Sequence, residues 1–162
     1  MFTTKNLTAA ATLLALGVIV LGAWVRLTDA GLGCPDWPGC YGHFGVPEQA
    51  ADVAAANSAY PERPVEARKA WNEMIHRYFA GVLVLLGLGI AFVAVRRRKT
   101  EPMDANVAVG GVALLCSQAI LGMLTVIWLV NPLIVTSHLI MGLSTAALYW
   151  YLHMRQYRFS TV

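Results

Sequence analysis

The stretch WNEMIHRYFAGVLVLLGLGIAFVAVRRRK, residues 71–99, sets the architecture of this chain. From Phe79 to Val95 it carries no charged side chain, a run long enough to cross bilayer hydrocarbon as a helix. It ends on Arg96, Arg97, Arg98 and Lys99, a cationic stop of the kind that stays cytoplasmic. Its other end holds Glu73, His76 and Arg77 where the chain enters hydrocarbon. Ionisable groups are costly at such a position, and that makes these three functional candidates.

Working outward, three more runs have the same character: 7–25, 107–129 and 133–152, with the fourth at 79–95. None has an acidic or basic residue in its middle. The composition agrees, with 57% hydrophobic and 13% charged residues in 162 and a mean hydropathy of +0.57. The expectation is an all-α integral membrane protein: a four-transmembrane-helix bundle forming a single membrane domain over 1–162, with a long outer loop at 26–77. Lys5, the cluster Arg96–Lys99, Arg155 and Arg158 all fall on one side if the spans alternate, so both termini are expected in the cytoplasm. The 26–77 segment holds five basic and seven acidic residues and is placed outside. The formal charge of +3 is thereby explained by topology, and no nucleic-acid partner is expected; the surrounding partner is membrane lipid. The first run is long for a signal peptide and is followed by no good cleavage site, so it is read as a retained helix.

The outer loop is rich in Gly, Pro and Cys from Gly31 to Pro47 and rich in Ala from Gln49 to Ala59. After Pro61 and Pro64, residues 65–76 contain no breaker and read as a helix continuous with the second span. A faint internal repeat relates Val20-Leu21-Gly22 to Ile120-Leu121-Gly122, and His76 and His138 each open the helix that follows. The chain then reads as two related hairpins, each giving one histidine at the same depth.

Two imidazoles facing each other across a bundle are a usual means of holding a haem iron from both sides. His76 and His138 are therefore the candidate iron ligands. Each could instead be an interfacial histidine bonded to a neighbouring carbonyl. Glu73 lies three residues before His76 and shares its helix face, where a carboxylate could accept a proton or stabilise a developing cation. The alternative is an ordinary pair with Arg77 in water. Arg26, at the end of the first span, could anchor the helix or receive a haem propionate in its guanidinium fork. Cys34 and Cys40 bracket a tight loop in an oxidising compartment and favour a disulfide. There is no Cys-x-x-Cys-His for covalent haem attachment, and adding His43 gives three possible zinc ligands without a fourth. His153 lies fifteen residues beyond His138, about 22 Å at helical rise, and is expected at the cytoplasmic interface. Cys116 reads as a small packing residue, and the glycines of the spans allow close approach of helices or of a flat macrocycle.

The string GAWVRLTDAGLGCPDWPGC, residues 22–40, resembles the first outer loop of haem A synthases. So does EMIHR at 73–77, and a third similarity runs through Gln118, Leu121-Gly122, Thr125-Val126, Pro132 and His138. The match is to the amino-terminal four-helix half of eight-helix members. The resemblance implies a bacterial inner-membrane oxidoreductase that converts a methyl group of haem O to the formyl group of haem A during cytochrome oxidase assembly. It implies that His76 and His138 hold the iron of the substrate haem and that Glu73 is the catalytic carboxylate; Arg26 and Arg77 are placed beside them in the expected cofactor-binding set. It also implies that Cys34 and Cys40 form a disulfide with a redox or electron-passing role. The expected partners are haem O, haem O synthase as its source, and either a second copy of the chain or the carboxy-terminal half that carries a b-type haem. The competing expectation is a small bis-histidine b-type cytochrome that only transfers electrons. A quinone-linked thiol oxidant, which would need a Cys-x-x-Cys and a second pair, comes third.

Overall fold

A computed structural model describes residues 4–99 and 105–158, with side chains described to Gln156. Its elements are α1 (Thr4–Leu27), α2 (Ala50–Ala59), α3 (Ala67–Arg96), α4 (Ala105–Ile127) and α5 (Pro132–Arg158). Four of them, α1, α3, α4 and α5, are long and apolar enough to span a bilayer, and the protein is a multi-pass membrane protein. Their outward faces carry Leu13, Leu85, Phe92 and Ile140, apolar side chains suited to lipid contact.

The four spans form a ring in which α1 touches α3 and α5, and α4 touches α3 and α5. α1 and α4 are diagonal to each other, and so are α3 and α5. The core fills the inner half of the ring with Ala11, Ile90, Leu115, Tyr149 and Leu152. Tyr149 is fully buried, and a Cβ on Gly87 would collide with its hydroxyl. Glycine is required there because an aromatic ring occupies the space a side chain would need.

α1 and α4 end alike. Ala30 N–H donates to the Val25 carbonyl at 2.9 Å and Asp29 N–H to the Arg26 carbonyl at 3.3 Å, with Asp29 left-handed at φ 52°. In α4, Val130 N–H donates to the Thr125 carbonyl at 2.7 Å and Leu129 N–H to the Val126 carbonyl at 3.3 Å, with Leu129 at φ 49°. These are two Schellman caps, which satisfy the last carbonyls of each helix. Beyond the second cap, Asn131 Oδ1 accepts from Leu133 N–H at 3.0 Å and Pro132 opens α5 at the position where a missing N–H costs nothing.

α3 starts at Ala67 and runs on through the membrane as a single 30-residue helix. α2 lies in the Ala-rich part of the outer loop, where no helix was expected. The segment has no amphipathic pattern to announce it. It is held from outside, since Asn57 Oδ1 accepts from Val65 N–H at 2.7 Å and Ala56 joins the loop core. At the other end of the bundle His153 stands beside Trp150, with ring centroids 5.9 Å apart. His153 is buried, with Nδ1 at 3.1 Å from the Lys5 carbonyl and 3.3 Å from Thr8 Oγ1, while Gln156 Nε2 donates to Thr8 Oγ1 at 2.8 Å. It thereby clamps α1 to α5 near the ends of both helices. Cys116 is also corrected: its thiol is free and exposed on the outward face of α4. The side chain of Arg158, counted among the inner charges, lies outside the described residues.

Candidate functional site

The end of the ring that carries the long loop between α1 and α3 holds the histidines. His76 comes from α3 and His138 from α5, the diagonal pair, so the two helices bring them in from opposite sides of the bundle. Each ring sits over a glycine of the helix beside it. A methyl placed on Gly22 of α1 would stand 3.0 Å from His76 Cε1, and one on Gly122 of α4 would stand 3.5 Å from His138 Cε1. The faint repeat in the sequence is therefore a repeat of contacts: one glycine–histidine pair per hairpin.

Nδ1 of His76 and Nδ1 of His138 are both buried without a hydrogen-bond partner among the described residues. A buried polar atom left unpaired costs free energy, and both rings share this orphaned Nδ1, although the His76 ring is also hydrogen-bonded to the Val18 backbone of α1. Two half-buried imidazoles on facing helices, each on a side-chain-free shelf, fit the flat macrocycle and axial ligation of a haem. Among the described residues no group of three or more His, Cys, Asp or Glu is arranged to hold a bare metal ion.

Glu73, one turn before His76, is buried at 5% exposure. Its carboxylate is turned toward the outer loop: Oε2 accepts from Cys34 N–H at 3.0 Å, and Oε1 pairs with Arg77 Nη2. The pairing with Arg77 is thus present, but inside the protein rather than in water. Arg77 is as heavily committed. Its Nη1 donates to the carbonyl oxygens of Asp36 at 3.0 Å, Pro38 at 3.3 Å and Gly39. One guanidinium therefore laces the loop to α3.

That loop is closed by the Cys34–Cys40 disulfide, with both cysteines fully buried. Asp36 caps the turn that follows, its Oδ1 accepting from Tyr41 N–H at 2.6 Å and Oδ2 from Gly42 N–H at 2.7 Å. Tyr41 and Gly42 both have positive φ, at 54° and 79°, the signature of a type I′ turn between Cys40 and His43. The Tyr41 hydroxyl donates toward the carbonyls of Arg63 at 3.2 Å and Pro64 at 3.1 Å. Burial pushes that phenol up from its ordinary value, against the opposing pull of Arg63. Gly33 passes so close to α3 that a Cβ would fall 2.7 Å from the Lys69 backbone. His43 is exposed and takes part only through its backbone.

Arg26 is exposed at the end of α1 and borders an open cavity of about 240 Å³ beside the long loop. Arg63, Tyr41, Gly31 and Val130 line it too, and neither histidine does. Arg63 was not singled out in the sequence, where it is one cation among several between Pro61 and Pro64. Its Nη1 is buried without a hydrogen-bond partner among the described residues, a fact only the folded loop creates.

Residues 5–160 match the family model described as COX15-CtaA, cytochrome oxidase assembly protein. A protein of Shewanella oneidensis named heme A synthase is 47% identical over 138 residues, covering 85% of this chain and 41% of the relative. A heme A synthase of Lysinibacillus sphaericus is 28% identical over 131 residues, covering 81% of this chain and 38% of that protein. The chain thus spans about two fifths of the length of the curated relatives it matches. No solved structure matches. With almost all of its length inside the family match, this four-span chain belongs to the COX15-CtaA family of cytochrome oxidase assembly proteins.

Proposed function

We propose that this chain holds haem O between His76 and His138 and takes part in oxidising a methyl substituent of that haem to the formyl group of haem A. The observation that carries the reading is the paired orphaned Nδ1 atoms, one per hairpin, each ring over its own glycine. The family membership and the heme A synthase relatives support it. His76 and His138 are the residues that would hold the iron of a bound haem, and the haem would supply the porphyrin edge carrying the methyl group. His76 and His138 would bind and orient it, and the ring of spans would exclude water from its faces.

Glu73 is the proposed catalytic residue. Turning a methyl into a formyl group replaces two C–H hydrogens with an oxygen, a four-electron oxidation whose oxidant and oxygen donor come from outside this chain. What the chain offers is Glu73, the carboxylate on the face of α3 that carries His76, to take up a proton released at that carbon. Its Oε1 or Oε2 would take up a proton, with Arg77 and Cys34 N–H fixing where the carboxylate points. Arg77 is committed to Glu73 and three loop carbonyls, so its share in binding is to hold that wall of the site in place. Arg26, with Arg63 beside the same cavity, is the proposed partner for the propionates. The proposed setting is the bacterial cytoplasmic membrane, with the Lys5, Arg96 and Arg155 ends inside and the disulfide loop outside. Haem O synthase is the proposed source of the substrate. A second copy of the chain, or the remaining half present in longer relatives, is the proposed partner that exchanges electrons with the site.

The test is a reduced-minus-oxidised spectrum of the detergent-purified chain, followed by extraction and chromatography of its haem. The expected result is a six-coordinate low-spin species containing haem O or a hydroxylated or formyl product, lost in His76→Ala and in His138→Ala. Protohaem alone would point to a b-type cytochrome instead. Haem kept at the wild-type level in both histidine variants would overturn the ligand assignment.

A further inference from the structure

The two glycine shelves differ in how much room they leave. On Gly22 an added Cβ would lie 3.0 Å from His76 Cε1, 3.5 Å from Nδ1 and 3.6 Å from Nε2, so the ring edge rests directly on the α1 backbone. On Gly122 the nearest approaches would be 3.5 Å to His138 Cε1 and 3.8 Å to Nε2, ordinary van der Waals contact.

The surroundings sharpen this difference. α3 is fixed next to His76 on both sides, by Glu73 bonded to Cys34 N–H and by Arg77 bonded to the loop carbonyls. The loop is itself pressed against α3 at Gly33, close to the end of α1. With α3 held on both sides of His76, a methyl on Gly22 would press on the ring at 3.0 Å and displace it by a few tenths of an ångström. α5 is tied near His138 by one side chain, Gln118, whose Nε2 donates to the His138 carbonyl at 3.0 Å.

Building on the haem-ligand reading above, we propose that Gly22 is a positioning residue that sets the plane of the His76 imidazole, while Gly122 leaves slack beside His138. The missing side chain at position 22 acts through His76 and has no contact of its own with a reacting atom. The two halves of the bundle thus offer a bound haem one fixed axial ligand and one adjustable one.

The test uses the full chain, loaded with haem in its own membrane, and compares Gly22→Ala with Gly122→Ala. Ferric electron paramagnetic resonance and the optical spectrum report ligand planes on the folded, loaded fraction, which a general loss of stability would not move. Gly22→Ala is expected to shift the low-spin signal or convert part of it to high spin, with Gly122→Ala matching wild type. Spectra unchanged in both variants, or altered equally, would overturn the proposal. A wild-type spectrum without a bis-imidazole signal, or His76→Ala retaining one, would overturn the haem reading itself and this proposal with it. If Gly22→Ala fails to accumulate, Gly22→Ala/His76→Gly removes the clashing ring. Accumulation should then return, and added imidazole should bind the double variant roughly tenfold more weakly than His76→Gly alone. No recovery, or equal imidazole affinity, would refute the clash.

Discussion

The hairpin of α1 and α3 and the hairpin of α4 and α5 are the same device finished in two ways. Each sends one helix outward to a Schellman cap, at Val25–Ala30 and Thr125–Val130, one hundred positions apart. Each then sends a helix inward with a histidine that rests on a glycine of its partner. Beyond this the likeness stops. Where α3 has Glu73 and Arg77 around His76, α5 has Val135 and Leu139 around His138. The first hairpin is joined by a long loop with a disulfide and a short helix, the second by a tight turn ending in Asn131. A symmetric frame is suited to gripping a flat ligand from both sides. The polar groups fitted to one side alone are suited to acting on one edge of it.

The sharpest way to break this comparison is to make the first hairpin resemble the second at its carboxylate. Glu73→Val should leave haem bound, because neither shelf nor histidine is touched. It should lower formation of the oxidised haem by about 10²- to 10⁴-fold, the usual range for removing a general acid–base group. Haem content by pyridine haemochrome and product by chromatography separate the two effects. A Glu73→Val protein that still makes product at the wild-type rate would leave the polar side of the bundle with a structural role only.

Much of this frame can be read from the sequence, for a physical reason. Spans are legible because hydrocarbon imposes a continuous apolar run, and the run 79–95 ending on Arg96 shows it without any structure. The Cys34–Cys40 bond is legible because compartment and spacing leave few choices. What escapes is contact across elements. Helical spacing places Glu73 on the face of His76, yet it cannot show that the carboxylate turns to Cys34 N–H and is buried. Gly22 and Gly122 look like ordinary membrane glycines until the rings of His76 and His138 are seen lying on them. α2 escapes because alanine carries no periodicity, and Cys116 because a small apolar residue fits a lipid face as well as a core.

A smaller effect is expected from Arg77→Leu, which again copies α5 into α3. Removing the cation leaves the Glu73 carboxylate buried without its partner and frees three loop carbonyls. Because the Arg77 side chain keeps 12% exposure, the loss should fall at the lower end for buried pairs, about 3 kcal/mol, read as a drop in the thermal unfolding midpoint. Glu73→Val combined with Arg77→Leu should recover part of that loss, since the stranded carboxylate goes as well. Strict additivity of the two single losses would mean that the pair is not coupled and that the loop is held by its carbonyl contacts alone.

The smallest effect tests the bare hairpin. Gln118 Nε2 donates to the His138 carbonyl at 3.0 Å, and the position one hundred residues earlier is Val18. α4 and α5 thus share a hydrogen bond given by a glutamine side chain, whereas in the first hairpin it is the His76 ring that hydrogen-bonds to the Val18 backbone of α1. Interhelical hydrogen bonds in membranes contribute about 0.6 kcal/mol each, so Gln118→Leu should lower the unfolding midpoint only slightly and keep haem bound. Its sensitive readout is the rate at which apomyoglobin strips haem from the detergent-solubilised protein. With the anchor gone, α5 gains freedom at His138 and release should quicken by roughly threefold, the rate equivalent of that energy. Release unchanged within error would show that the short turn and Asn131 hold His138 unaided. Release as fast as in His138→Ala would show the opposite, that the second hairpin depends on one amide for the work that Glu73, Arg77 and the disulfide loop share in the first.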